Sequence, residues 1–490
     1  MKILKLGGSS VGSPERIRNV VDIVLESKER QFPIAVVVSA FQGVTNQLIE
    51  IGSLACQRDP HWLRLYRDIR EKHTAFARTL ISGTNRENAL ASVGAMLEEL
   101  GIALREVFGS GEFSPRQADR IMSFGERLSA CIISETLREQ GVAAEYLDAR
   151  DIVRTDESFG RARVYLEESY RSIRTRFATF SPEVLPVTTG FIGATARGET
   201  TTLGRGGSDY TAAILGAALD ATEIEIWTDV DGVMTADPKK VESAFPVQTM
   251  TYEEAMEMAH FGAKVIYPPT IRPALQNRIP IRIKNSLNPT FVGTVIRGDV
   301  PPKEGFLATG ISSVDHIALL RVQGSGMIGV AGIAARLFGA LARRGISVIL
   351  ITQASSEHSI CLAVESRFAA DAKHAIEEEF RAEWAWGEID EVAAEEDVAI
   401  VAVVGENMRK TPGIAGKVFG ALGNRGVNVV AIAQGSSELN ISVVVSGENE
   451  RLALNAIHDA FFPRRKPDSE SVYRRGVDRT HNRPKPLRDR

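Results

Sequence analysis

The sequence predicts an α/β sandwich followed by two copies of a small α+β module. Three observations predict it: a strand–glycine loop–helix–strand unit at the start of the chain, buried-strand patterns alternating with helical ones up to about residue 298, and an ungapped internal repeat beyond that point. The length agrees, since 490 residues correspond to roughly three domains at about 150 residues each.

Residues Ile3 to Leu6 read as a short buried strand, and Gly7, Gly8, Ser9 and Ser10 as the loop after it. Ser13 and Pro14 start a helix, with Ser as N-cap and Pro in the first turn. Ile17, Val20, Val21, Val24 and Leu25 fall on one face of that helix. Ile34 to Val38 is a continuous apolar run of the kind that parallel strands buried on both faces show. Together these make a βαβ unit. Residues from about 60 to 180 read as mostly helical. Strand patterns return at Leu185 to Phe191, Glu223 to Trp227 and Pro280 to Lys284, with a glycine-rich loop (Leu203 to Ser208) and a helix opened by a Thr251/Glu254 capping box between them.

Gly298 to Gly305, with Pro301 and Pro302, reads as a linker. Residues 327–360 then align with 408–441 at an offset of 81. Phe338-Gly339-Ala340-Leu341 matches Phe419-Gly420-Ala421-Leu422, Gln353 matches Gln434, and Ser355-Ser356-Glu357 matches Ser436-Ser437-Glu438. Each copy reads strand, glycine turn, helix, strand, turn, strand. The expected domains are 1–298, 310–390 and 396–463, with a basic, Arg- and Pro-rich tail over 464–490 that lacks apolar periodicity.

Composition narrows the function classes. Lys and Arg total 58 against 62 Asp and Glu, a formal net charge of −4, which argues against nucleic acid as the main partner. No apolar run approaches the roughly 18 residues of a membrane helix, so no membrane partner is expected. Cys56, Cys131 and Cys361 have neither disulfide-framework nor metal-site spacing, which fits a reducing, cytoplasmic setting. A strand beginning at Ile3 leaves no room for a leader peptide in the sequence as given. No Ser/His/Asp set is evident, so nucleophilic catalysis has no support.

Four motifs could carry chemistry. In Lys5-Leu6-Gly7-Gly8-Ser9-Ser10, glycines let backbone N–H groups approach an anion, a helix N-terminus follows, and Lys5 can neutralise phosphate oxygens. The loop matches neither dinucleotide-binding nor P-loop spacing, and a plain strand-to-helix turn is the alternative. In Thr202-Leu203-Gly204-Arg205-Gly206-Gly207-Ser208-Asp209, a guanidinium in a flexible loop suits a phosphate or carboxylate. Asp209 there could orient a lysine or a magnesium ion, or be an N-cap acid. Glu225 to Gly232 runs a strand into an acidic turn, where ligands of open α/β sheets bind, and Asp237-Pro238-Lys239-Lys240 follows; two surface turns are the alternative. Lys264, in Phe261-Gly262-Ala263-Lys264-Val265, could meet a phosphate or simply complement a helix C-terminus. Ser39, Thr45, Glu126 (within Ser123 to Ser129) and Phe191 are weaker candidates.

As a set and in this order, these motifs resemble the aspartate kinase family, over roughly residues 1–460. The resemblance implies an amino acid kinase-like fold, an open α/β/α sandwich, followed by two ACT domains. It implies ATP-dependent phosphorylation of the L-aspartate β-carboxylate to 4-phospho-L-aspartate, a step of lysine, threonine and methionine synthesis, with ATP as substrate and Mg²⁺ as cofactor. It places Lys5, Gly7, Gly8 and Ser9 at the ATP phosphates. Ser39, Thr45, Glu126, Phe191, Arg205 and Asp209 would surround aspartate, Arg205 on its α-carboxylate and Glu126 on its α-ammonium. Thr228, Asp229, Met234, Lys239 and Lys264 would sit around the nucleotide. Lys5, Arg205 and Asp209 form the implied catalytic set, and no protein metal-ligand set is implied.

Three positions and one stretch depart from the family pattern: Leu6 for Phe, Met234 for Tyr, Lys239 for Arg, and Tyr267-Pro268-Pro269 for a His-Pro pattern. Lys239 keeps the charge and loses the bidentate fork. The Ile351-Thr352-Gln353 and Ile432-Ala433-Gln434 segments resemble those of threonine-sensitive aspartokinase–homoserine dehydrogenases, which makes Gln353 and Gln434 candidate contacts for an amino acid effector, threonine first and lysine second. A homodimer or higher assembly through the ACT domains is implied. The sequence stops where a dehydrogenase domain would begin, as expected of a monofunctional form or of one cut from a longer parent. Two other readings compete: a kinase of glutamate, acetylglutamate or UMP, which the repeat disfavours, and a non-catalytic amino acid-binding regulator, which retention of Lys5, Glu126, Arg205 and Asp209 disfavours.

Overall fold

The computed structural model describes residues 1–30, 33–263, 267–300, 306–353 and 358–463. Its N-terminal part runs β1 (Lys2–Leu6), α1 (Pro14–Arg30), β2 (Ile34–Val38), α2 (Val44–Cys56), α3 (His61–Leu80), α4 (Gly83–Ser110), α5 (Pro115–Glu139), β3 (Ala144–Leu147) and α6 (Leu166–Phe177). It continues through β4 (Leu185–Thr189), β5 (Ile192–Ala194), β6 (Thr200–Thr202), α7 (Gly207–Ala218), β7 (Glu223–Thr228), β8 (Thr249–Met250), α8 (Tyr252–His260), α9 (Pro268–Gln276), β9 (Ile281–Asn285) and β10 (Thr294–Ile296).

Eight strands form one sheet in the order β3-β4-β2-β1-β7-β9-β10-β8. The six from β3 to β9 are parallel, while β10 runs antiparallel to β9. Strand alternation sorts side chains to two faces. Leu4, Leu6, Val36 and Val38 enter a core with α1 to α5, whereas Ile3, Ala35 and Val37 enter a second core with α6 to α9. This is the expected sandwich, and burial on both faces explains why these strands read as unbroken apolar runs.

Two expectations are corrected. The stretch from 60 to 180 contains an edge strand, β3, too short to stand out in sequence. The strand from Leu185 stops at Thr189 instead of running to Phe191, because the chain turns there: Phe191 has φ 69°. The β5–β6 hairpin follows.

The repeat builds β11 (Gly310–Gln323), α10 (Ile333–Arg343), β12 (Leu350–Gln353), β13 (Ser359–Glu365), α11 (Ala369–Glu379) and α12 (Arg381–Ala385), then β14 (Glu391–Val404), α13 (Ile414–Gly423), β15 (Ala431–Ala433), β16 (Asn440–Ser446) and α14 (Glu450–Phe461). Each copy carries a closing helix, α11 or α14, that the sequence pattern left out. The strands form one antiparallel sheet, β12-β13-β11-β14-β16-β15. The long strands β11 and β14 serve both copies: Ile311 lies in the core of the second copy and Val392 in that of the first. Lys264, Ser355-Ser356-Glu357 and the 464–490 tail lie outside the described residues. No helix among the described residues is long and apolar enough to cross a membrane.

Candidate active site

The parallel strands end level with one another. Leu6 pairs with Val38 and with Trp227, and Val38 pairs with Thr189. The residues just beyond these ends (Gly8 and Ser9, Ser39 and Ala40, Phe191) are thereby gathered at the carboxyl edge of the sheet, where open α/β sheets bind ligands. Together with Lys5, Thr45, Glu126, Arg205 and Asp209 they line a cleft of about 720 Å³, large enough for an amino acid beside a phosphate chain.

Lys5 reaches the cleft from the sheet itself, and its Nζ lies 2.5 Å from Asp209 Oδ1. Asp209 stands in the first turn of α7, whose N-cap is Gly206, not an acid. That turn depends on glycine: Gly206 has φ 69°, and a Cβ there would meet the Tyr267 Cβ at 2.6 Å. Asp209 and Lys5 are thus the pair that the sequence could only suggest. Glu126 enters from the middle of α5 and is fully buried. Its Oε1 accepts from the Ala40 N–H at 3.1 Å, and its Oε2 has no hydrogen-bond partner in the protein. Burial pushes its carboxyl up to about 8, against smaller opposing effects of the Ala40 N–H and the Lys5 charge. A buried acceptor with a spare oxygen suits a cationic group of a ligand.

Phe191, at the lip, adopts the left-handed conformation with its N–H bonded to Thr211 Oγ1 at 3.1 Å. Such strain in a bulky residue persists where surrounding contacts over-determine it, often at a ligand site. Thr45 follows the left-handed N-cap Gly43 of α2, and Arg205 is the exposed arm of the cleft.

Of the nucleotide candidates, Lys5, Gly8 and Ser9 line this cleft and the other described ones lie outside it. Gly7 is buried between β1 and β7, its N–H donating to the Trp227 carbonyl at 2.9 Å. Thr228 ends β7, exposed Asp229 follows, and Met234 and Lys239 lie on the connection from β7 to β8. None of these is among the residues lining the cleft.

Sequence reasoning missed Asp119, Met122 and Gly160. Met122 and Gly160 line the cleft. Asp119 is buried beneath it: its Oδ2 accepts from the Gly160 and Thr202 N–H groups, both at 2.9 Å, and its Oδ1 from Thr202 Oγ1 at 2.7 Å. Burial raises its carboxyl above the usual range. The available signal was spacing, since Asp119, Met122 and Glu126 share one face of α5.

The edge strands β12 and β15 approach each other across a second cleft, of about 540 Å³, that contains both Gln353 and Gln434, together with Phe261 from the end of α8. The repeat relates the two glutamines in sequence; the curl of the sheet brings them to one place.

The amino acid kinase family matches residues 1–285, and the ACT domain matches residues 320–380 and 401–461. The bifunctional aspartokinase/homoserine dehydrogenase 2 of Arabidopsis thaliana is 37% identical over 473 residues, covering 94% of this chain and 50% of the relative. Aspartokinase 3 of the same plant is 35% identical over 471 residues, covering 94% of this chain and 81% of the relative. The chain therefore spans about half the length of the bifunctional relatives it matches. Escherichia coli aspartokinase III, solved with aspartate and ADP, superposes with a TM-score of 0.79 at 31% identity, over 94% of this chain and 100% of that one. The same enzyme solved with lysine and aspartate gives 0.76 at 32% identity, over 94% and 99%.

Proposed function

This chain belongs to the aspartate kinase family, and from that premise we propose that it transfers the γ-phosphoryl group of ATP to the β-carboxylate of L-aspartate, giving 4-phospho-L-aspartate and ADP. The observation that carries the reading is the cleft at the strand ends, where the Lys5–Asp209 pair and the buried, half-partnered Glu126 share one space.

A carboxylate is nucleophilic at neutral pH, so the reaction asks for no general base, and the sequence shows no Ser/His/Asp pattern that would supply one. One carboxylate oxygen forms a bond to the γ-phosphorus as the bond to the bridging oxygen breaks, and ADP leaves with that oxygen's electron pair. The obstacle is the approach of two anions, which positioning and fixed positive charge overcome. Lys5 would stabilise the transferring oxygens. Its pairing with Asp209 holds the ammonium at the cleft while no phosphate is bound. Arg205 would clamp the α-carboxylate bidentately, and Glu126 would take the α-ammonium on its spare oxygen. Among the described residues no group of three or more His, Cys, Asp or Glu side chains is placed to hold a metal ion. Mg²⁺ binds phosphates with few protein ligands, which fits an ion arriving on the nucleotide with Asp209 as the nearby carboxylate; it would supply charge neutralisation.

The second cleft supports feedback by an amino acid held near Gln353 and Gln434, threonine in the first place and lysine in the second, the latter being what E. coli aspartokinase III was solved with. We also place the chain in a homodimer formed through the ACT sheet, in a reducing, cytoplasm-like compartment. Coupled ADP release tests the reading with aspartate, glutamate or no acceptor. Aspartate-dependent release supports it; release with glutamate alone points to another amino acid kinase; none with any acceptor points to a non-catalytic regulator.

A further inference from the structure

We propose that α14, the closing helix of the second repeated module, positions the nucleotide segment of the catalytic domain. This deepens the reading above, since it rests on Met234 and Lys239 being nucleotide contacts. The segment belongs to the connection from β7 to β8, whose two arms are bridged at Met234 and Pro246 with the Thr235 N–H donating to the Phe245 carbonyl at 2.9 Å, so α14 acts chiefly on the Lys239 end. Asp237 Oδ1 accepts from the Lys239 N–H at 2.9 Å, and the Asp237 carbonyl accepts from the N–H groups of Lys240 and Val241.

Much of its remaining support comes from the far end of the chain. Val241 and Ala236 are buried in the hydrophobic core of the second module, beside Leu454 of α14. Lys240 Nζ meets Glu450 at 2.7 Å, at the start of α14, and Asp315 at 3.0 Å. Asn455 Nδ2 donates to the Lys240 carbonyl at 3.0 Å, Arg451 Nε donates to the same oxygen at 3.2 Å, and Arg451 Nη2 donates to the Lys239 carbonyl at 3.3 Å. Buried His458 bridges both arms of the connection, with Nε2 3.0 Å from Thr235 Oγ1 and Nδ1 3.1 Å from Ser243 Oγ.

Lys239 therefore has its N–H and its carbonyl both held, while its side chain is exposed. Without α14 the Lys239 end would rest on its Asp237 turn, and more of its ordering would fall at nucleotide binding, at an entropic cost. Helix α14 orders it beforehand. These contacts do not touch the aspartate cleft, so loosening them acts on ATP binding alone.

The test uses the full chain and steady-state kinetics with each substrate varied. Asn455→Ala is expected to raise KM for ATP about five- to tenfold, as for loss of one backbone anchor, and Asn455→Ala combined with Lys240→Met to raise it further. kcat and KM for aspartate stay within about twofold, and Lys239→Ala serves as the direct-contact reference. If Lys239→Ala raises KM for ATP while both α14-facing variants leave it unchanged, the inference is overturned and the proposed function stands. Equal loss in kcat and in both KM values would mean a merely structural role and also overturns it. If Lys239→Ala changes nothing, the placement of the nucleotide on this segment fails, and the inference with it.

Discussion

With Glu126 receiving the aspartate ammonium as proposed, aspartate binding is tied to pH. The Glu126 carboxyl is pushed up to about 8 by burial, so about 90% of the ligand-free sites carry a proton there at pH 7. Receiving an ammonium requires the carboxylate, and ionising it at pH 7 costs about 1.4 kcal/mol, a factor of about ten in apparent affinity. Affinity thus rises with pH below the raised pKa and levels off above it. KM for aspartate is expected to fall about tenfold from pH 6 to pH 7, to fall less steeply towards pH 8, and then to flatten. Close to one proton should be released per aspartate bound at pH 7, readable by calorimetry in buffers of different ionisation enthalpy. Glu126→Gln removes the charge and the proton together. Its KM for aspartate should rise about 10²-fold, as for truncation of one partner of a buried charge pair, and its pH slope should vanish. A wild-type KM that is flat between pH 6 and 8, with no proton release, refutes the assignment of Glu126 to the ammonium.

Further outcomes follow from other side chains. Lys5→Ala should lower kcat by about 10²-fold or more, the loss of one preorganised charge; near-normal turnover removes Lys5 from the mechanism. Asp119→Asn sets an amide where a carboxylate accepts from three donors. It should cost about 2–4 kcal/mol in urea unfolding and raise KM for aspartate through the displaced Gly160 and Thr202. His73 is buried with its Nδ1 2.7 Å from the Ile69 carbonyl and its pKa lowered to about 4, chiefly by burial. Between pH 6.5 and 4 the unfolded chain takes up a proton that the folded one refuses, so stability should fall with falling pH by up to about 1.4 kcal/mol per unit. His73→Phe, against the stacked ring of Phe41, should flatten that slope in urea midpoints measured across the window.

The order of elements at the ends of the chain was legible from residues alone. Strands buried on both faces must be apolar throughout, which marked Ile3 to Leu6 and Ile34 to Val38, and an ungapped repeat must build the same unit twice. Capping is equally local, so the Thr251/Glu254 box appeared as read. The short strand Ala144–Leu147 was not legible, because four residues at a sheet edge carry too little periodicity. Nor was the turn at Phe191, where the packing of Gly190 against Ser208 and the Thr211 hydroxyl hold a conformation that the residue itself disfavours.

The candidate site divides the same way. Sequence by itself determined which residue types were available and in what order: a lysine at a strand end, glycines before a helix, an arginine and an aspartate in one loop, and glutamines an equal distance into two repeats. Only the tertiary structure decided that Lys5 and Asp209 touch, that Glu126 is buried deeply enough to hold its proton near neutrality, that Asp119 underpins the cleft, and that the closing helix of the second repeat grips the segment bearing Lys239. The reason is physical. Local propensity acts over a few residues, whereas charge pairing and desolvation depend on distances between side chains tens to hundreds of positions apart, and those distances exist only once the sheets have formed and stacked their helices.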